Sequence, residues 1–172
     1  TQALALADWA GFDARAARSK QNGRLRGRGL ASFLEWTGGN VFEERVTVNV
    51  SGDGFIEVFS ATQAMGQGIA TSYAQLAVDV FGVPIEKVRI VQGDTDRGTG
   101  FGSAGSRSIF VGGSAIQVAS QRTVEKAQNL AAEALETAPQ DIEYREGVFR
   151  VVGTDRCIDL FDLAAKQSDQ QV

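Results

Sequence analysis

The chain contains no histidine, a single cysteine and only two prolines among its 172 residues. The missing histidine removes Ser-His-Asp and Cys-His catalysis and every histidine-ligated metal site. One cysteine allows neither an internal disulfide nor a thiolate cluster. Cys157 lies in a short apolar stretch and is expected to be a buried small hydrophobe. Any metal used here must therefore arrive with its own organic ligand. Excess positive charge is also missing: the formal net charge is −4, which argues against general binding to nucleic acid or to an anionic membrane. No apolar run is long enough to span a bilayer, and no signal peptide is visible. The first residue is Thr1 rather than Met, so the expectation is a piece of something longer.

Glycine is plentiful, with 20 residues, and it is concentrated. From Gly93 to Gly113 the chain reads GDTDRGTGFGSAGSRSIFVGG, in which seven of 21 residues are glycine and five are Ser or Thr. Glycine lets a backbone approach a ligand closely, and hydroxyls both donate and accept. From Ser106 onward the run turns helical in pattern, continuing to about Glu136. A glycine-rich loop that feeds a helix N-terminus offers free N–H groups and the positive end of the helix dipole, which is an anion site and suits phosphate. The competing reading is a long connecting loop, but loops of this length without structure are uncommon in compact domains.

The flanking chain supplies a scaffold. Asp8 to Gln21 reads as a short amphipathic helix capped by Asp8. Arg24 to Thr37 carries β-formers in partial alternation, and Gly38, Gly39 and Asn40 read as a turn. Val46, Val48 and Val50 alternate with Thr47 and Asn49, Gly52-Asp53-Gly54 is a hairpin signal, and Phe55 to Phe59 is the returning strand. Tyr73, Leu76, Ala77 and Val80 recur at helical spacing before Gly82 and Pro84 stop the helix. Glu86 to Gln92 contains another short strand. Gly112 and Gly113 predict close packing or a break in the long helix. IEYREGVFRVV, from Ile142 to Val152, is a second hairpin turning at Glu146-Gly147. The last six residues are expected to fray. The order predicts one α+β domain over residues 1–172, two-layered, with a mainly antiparallel sheet and helices on one face.

Gly100, Gly102 and Gly105 match G-x-G-x-x-G, the dinucleotide fingerprint. The context fails, because the nearest strand ends near Gln92 and Glu125 falls inside a helix instead of at a strand tip. A second arrangement fits better. Gly66-Gln67-Gly68 opens one helix and Ser103 to Ser108 opens the other, so two helix N-termini can converge on one anionic ligand. Arg107 is read either as part of this loop or as a surface cation.

Several separate motifs then share one resemblance. GRLRGRGLASF at 23–33, the VNVSGDGFIEVFSA hairpin, MGQG at 65–68 with Gln75 following, VQGDTD at 91–96, and GSAGSRS at 102–108 followed by GGSA at 112–115 resemble the large, molybdenum-cofactor-binding subunit of the xanthine dehydrogenase and aldehyde oxidase family. The resemblance runs from about Asp8 to Ala132. It implies that Gly66, Gln67 and Gly68 lie at the cofactor, with the Gln67 amide near the molybdenum. It also implies that Ser103, Ala104, Gly105, Ser106, Arg107 and Ser108 wrap the pterin and its phosphates, Gly105 being the small residue that faces the metal. The cofactor implied is molybdopterin, with a cytosine dinucleotide form open. Iron–sulfur clusters and FAD are implied on partner domains or subunits. Family enzymes oxidise aldehydes, N-heterocycles or CO using water-derived oxygen.

The departures are equally specific. The family's large subunit is several times longer, and the later G-E motif that carries its base glutamate has no counterpart here. Glu125, Glu133 and Glu136 sit on helix faces and do not take that role. The chain is thus expected to hold part of a cofactor site, to be inactive alone, and to work with the rest of its own subunit, with iron–sulfur and flavin partners and with a small-molecule substrate. The expected compartment is the cytoplasm, with the periplasm as the alternative. Two other readings stand beside this one: a non-catalytic nucleotide- or phosphate-binding module using loop 93–113, and a structural domain whose glycines only make turns.

Overall fold

The computed structural model describes residues 2–38 and 42–169. The expected turn residues Gly39 and Asn40, and the last three of the terminal residues expected to fray, lie outside that set; Gly38 itself is in a turn. The chain divides into two compact units, Thr1–Leu34 and Glu35–Val172.

The first unit contains two helices, α1 (Gln2–Leu6) and α2 (Phe12–Gln21). The helix expected from Asp8 starts four residues later, with Gly11 at its N-cap. Asp8 instead has φ 43° and accepts the Gly11 N–H at 3.2 Å, so its carboxylate closes the turn before the helix. Arg15 folds back on Asp8 and donates to the Ala7 and Asp8 carbonyls at 3.2 and 2.9 Å. Residues 24–36, where alternation suggests a strand, form none among the described residues. Alternation alone does not make a strand; a neighbouring edge must accept its hydrogen bonds.

In the second unit, β1 (Val46–Ser51) and β2 (Phe55–Ser60) form the predicted antiparallel hairpin, in register from Val46↔Ser60 to Ser51↔Phe55. β2 then leads through α3 (Ile69–Phe81) to β3 (Val88–Val91), which pairs with β2 in parallel. A parallel neighbour needs a crossover of a dozen or more residues, and α3 supplies it. α3 buries Ile69, Tyr73, Ala77 and Phe81, a repeat of four that aims one stripe inward. It ends where predicted, the Gly82 N–H donating to the Val78 carbonyl at 2.7 Å.

The long helix begins as a π-helical segment, Ser108–Gly113, and continues as α4 (Ser114–Ala134). Gly112 is buried, and a Cβ there would collide with the Tyr73 hydroxyl. The glycine pair therefore does mark close packing. α4 packs against α3 and β1 and reaches β4 further along. The second sheet holds β4 (Ile142–Arg145), β5 (Val148–Val151) and β6 (Cys157–Asp159) in antiparallel order. The turn at Glu146-Gly147 has φ of 49° and 80°, the pattern of a tight two-residue hairpin. α5 (Leu160–Asp169) closes the unit. The α+β class and the antiparallel bias hold, with strands shared between two three-stranded sheets and one parallel pair. One hydrophobic cluster runs beneath both, from Ile56 and Val58 through Tyr73, Phe81 and Ile116 to Phe149, Ile158 and Leu163.

Cys157 is exposed, not buried. In β6 the residue that points inward is its neighbour Ile158, and strand alternation turns the cysteine outward.

Candidate molybdopterin site

Two segments leave the top of the β1–β3 sheet. One runs from Ala61 to Gly68 and ends at the N-terminus of α3. The other runs from Gln92 to Arg107 and ends at the π-helical start of α4. The sixteen-residue stretch 92–107 between strand and helix rules out the tight strand-to-helix turn that a dinucleotide fingerprint needs.

The structure brings these segments together through one carbonyl. The Gln63 oxygen accepts from Gln67 Nε2 at 3.1 Å and from Ser103 Oγ at 3.1 Å. Ser108 Oγ is 2.8 Å from Ser103 Oγ, which links the second loop to its own helix. Gln92 Nε2 reaches back to the Thr62 carbonyl. Gly100 lies so near the first segment that a Cβ would stand 2.6 Å from the Ala61 Cβ. Thus Gln67, Ser103 and Ser108, singled out separately from the sequence, belong to one hydrogen-bonded constellation. The Gln67 amide is engaged on both sides, its oxygen accepting the Met65 N–H. To reach a ligand it must exchange one of these bonds.

Arg107 is not the surface cation that was one of its two readings. Its side chain is fully buried and forms an ion pair with Glu44 at 2.9 Å, Glu44 being only 1% exposed. The same guanidinium donates to the Gly102 carbonyl at 2.7 Å and to the Phe42 carbonyl at 2.9 Å, and it stacks over Phe101. Glu44 uses its other oxygen to accept from Thr62 Oγ1 at 3.1 Å. One carboxylate therefore holds the loop carrying Gly102 to Ser108 with one oxygen and the segment carrying Gln63 to Gly68 with the other. Breaking such a buried pair leaves an uncompensated charge and costs about 3–5 kcal/mol.

Tyr73, on the inward stripe of α3, donates its hydroxyl to the Ser108 carbonyl at 2.7 Å. That carbonyl lies in the π-helical segment. Burial raises the phenol above its ordinary range, against the opposing hydrogen bond with Thr62. Ser60 Oγ accepts the Thr62 N–H at 3.2 Å, so the buried Ser60 hydroxyl has a partner. Glu44, Thr62 and Tyr73 form the underside of the site, and sequence reasoning missed them. Glu44 sits 63 residues from Arg107, and no local pattern marks it.

The upper surface is backbone. Gly66 and Gly68 have φ of 90° and 75° with open space where a Cβ would stand, so only glycine combines that conformation with room for a close ligand. Gly68 caps α3 without a side-chain hydrogen bond, and Arg107 does the same at the second helical start. Neither helix start has a side-chain cap for its first-turn N–H groups. Gly105 and Ser106 both adopt positive φ, 55° and 57°, and are exposed with Ala104. A non-glycine residue held there is strained and tends to mark a functional loop. The Ser106 carbonyl accepts the Gly38 N–H at 3.0 Å. Among the described residues, no group of three or more His, Cys, Asp or Glu is placed to hold a metal ion. Two glycine loops, serine hydroxyls and uncapped helix starts suit a ligand with phosphates and ring-edge polar atoms. A metal carried by that ligand's own sulfurs needs no protein cage.

Residues 2–172 match the family model of the molybdopterin cofactor-binding domain. The gamma subunit of the 6-hydroxypseudooxynicotine dehydrogenase complex of Paenarthrobacter nicotinovorans is 36% identical over 165 residues, covering 95% of this chain and 21% of that one. The carbon monoxide dehydrogenase large chain of Hydrogenophaga pseudoflava is 32% identical, over 76% of this chain and 18% of its own length. Among solved structures, quinoline 2-oxidoreductase from Pseudomonas putida 86 superposes with a TM-score of 0.67 at 28% identity, over 98% of this chain and 23% of that one. The Cu,Mo-CO dehydrogenase in its carbon monoxide reduced state gives 0.64 at 33% identity, over 69% of this chain and 15% of that one. The chain belongs to the molybdopterin cofactor-binding domain family, and it is a molybdopterin-binding piece of the xanthine dehydrogenase and aldehyde oxidase group. It spans about a fifth of the length of the curated relatives it matches. Among the described residues no helix is long and apolar enough to cross a membrane.

Proposed function

We propose that this chain supplies two loops of the molybdopterin site in the large subunit of a molybdenum hydroxylase acting on an aldehyde, an N-heterocycle or CO. The observation that carries the reading is the Gln63 carbonyl, which accepts from Gln67 and from Ser103 and so ties both glycine loops into one cradle. When bound, the cofactor supplies the redox centre at which substrate carbon is oxidised with oxygen from water. The chain's own residues do the holding. Backbone N–H groups at the starts of α3 and of the π-helical segment bind phosphate, because they lack side-chain caps. Gly66, Gly68, Gly102 and Gly105 let the backbone approach the pterin. Ser103, Ser106 and Ser108 offer hydroxyls, Ala104 keeps the loop small, and the Gln67 amide orients polar atoms near the metal. Arg107 contributes from below, by fixing the loop against Glu44.

The base glutamate, the substrate-lining residues and the iron–sulfur and flavin carriers come from elsewhere in the subunit and its partners, in the cytoplasm. A cytosine dinucleotide form of the pterin would extend the same phosphate contacts. The test is a pair of variants in the full-length enzyme. Gln67→Ala removes the side-chain hydrogen bond to the cofactor, worth about 1 kcal/mol, so turnover falls about fivefold while molybdenum content is largely kept. Gly105→Val resists positive φ and crowds the ligand, so molybdenum content itself falls. Full metal and full activity in both variants would contradict this assignment.

A further inference from the structure

β1 is the outer strand of its sheet, and α5 packs alongside it. β2 pairs with it along one margin, and no strand pairs with the other among the described residues. Native sheet edges are usually guarded by charge, proline or a bulge. Val46–Ser51 contains neither charge nor proline, and its register with β2 runs unbroken. Beside this edge, β1, α4 and α5 enclose a groove of about 460 Å³. Val48, Asn49 and Val50 all line it, so it reaches the margin of the strand and not merely one face. Half-buried Val48, Val50, Ala127 and Leu130 give it an apolar wall, with Leu160 and Leu163 buried behind them. Arg122 and Lys126, one helical turn apart on α4, stand in the lining, and neither forms an ion pair among the described residues.

We propose that this groove receives an extended segment of the same subunit, from outside residues 1–172, which adds a strand to β1. Its alternate side chains are apolar, against the wall of Val48, Val50, Ala127 and Leu130, and at least one Asp or Glu among them meets Arg122 and Lys126. The edge calls for a strand, the wall for alternate apolar groups, and the paired cations for a carboxylate. The source follows from length, since the related gamma subunit has 79% of its chain outside the matched region (100% less the 21% covered). Covering the edge also removes a template for aggregation.

The test uses the full-length subunit with Asn49→p-benzoylphenylalanine, irradiated and mapped by peptide mass spectrometry. The expected product is an intramolecular adduct on a peptide outside residues 1–172 that contains Asp or Glu. The same probe at Thr47 should label the same peptide. Reversing both cations, with Arg122→Glu and Lys126→Glu, should lower the adduct yield about fivefold, the upper range for exposed ion pairs. An adduct on a separate polypeptide, adducts confined to residues 1–172, or no adduct from either probe would overturn the proposal. The readout is independent of molybdenum content, so its failure is distinct from failure of the cofactor assignment.

Discussion

The core of the second unit is polar beneath the glycine loops and apolar beneath the β4–β6 sheet. Below the loops, Ser60, Thr62 and Arg107 are buried together with Glu44. Below the second sheet the buried side chains are Ile142, Phe149, Val151 and Ile158, joined by Leu160 and Leu163 of α5. An apolar cluster can repack around small errors, because dispersion and burial are nearly direction-free. A buried ion pair with fixed hydrogen bonds cannot, and replacing such pairs by apolar groups is often neutral or stabilising. The polar half therefore reads as positional: it sets two loops at one spacing, while the apolar half supplies the stability.

The largest effects should separate the two halves. Arg107→Ala strands the Glu44 carboxylate and should cost about 3–5 kcal/mol of local stability. Phe149→Ala should cost about the same, through a cavity. The difference lies in loading: at a temperature where both variants are folded, Arg107→Ala loses molybdopterin and Phe149→Ala keeps it. Thermal unfolding paired with metal analysis of the full-length subunit checks this. Equal cofactor loss in both would mean that the polar half has no special role.

Gly112→Ala is the intermediate case. Its new Cβ collides with the Tyr73 hydroxyl, and overpacking of this kind costs about 1–3 kcal/mol. Because Tyr73 bonds the π-helical turn at Ser108, the strain should spread to the second loop. Hydrogen exchange in residues 102–113 should rise while that of β4–β6 stays unchanged.

Tyr73→Phe is the smallest, about 1 kcal/mol for the lost bond to the Ser108 carbonyl. It also carries a pH signature. The folded phenol is raised by burial, so above about pH 10 the unfolded chain loses this proton first. Stability then falls as pH rises, because the native state binds more protons there. In Tyr73→Phe this component should be absent from stability measured between neutral and alkaline pH.

Much of the scaffold was legible because its signals are local. Gly52-Asp53-Gly54, Glu146-Gly147 and the Gly82–Pro84 stop each fix a turn or end within a few residues. Both glycine loops were legible as composition, and their motifs carried the family. What stayed hidden is non-local. Glu44 and Arg107 meet across 63 residues, so neither the buried pair nor the inward turn of Arg107 had a sequence signal. The parallel pairing of β2 with β3 depends on where α3 returns the chain. The alternation in residues 24–37 gave no strand, since pairing needs an edge as well as a pattern. Cys157 looked apolar by its neighbours, but strand parity placed Ile158 inward instead.

Loops 61–68 and 102–108 are expected to hold one ligand together. Hydrogen exchange of the full-length subunit, compared with and without molybdopterin, tests it most directly. The cofactor should protect backbone amides in both loops and at the starts of α3 and the π-helical segment, with little change in β4–β6. Protection of neither loop, or of one alone, would contradict it.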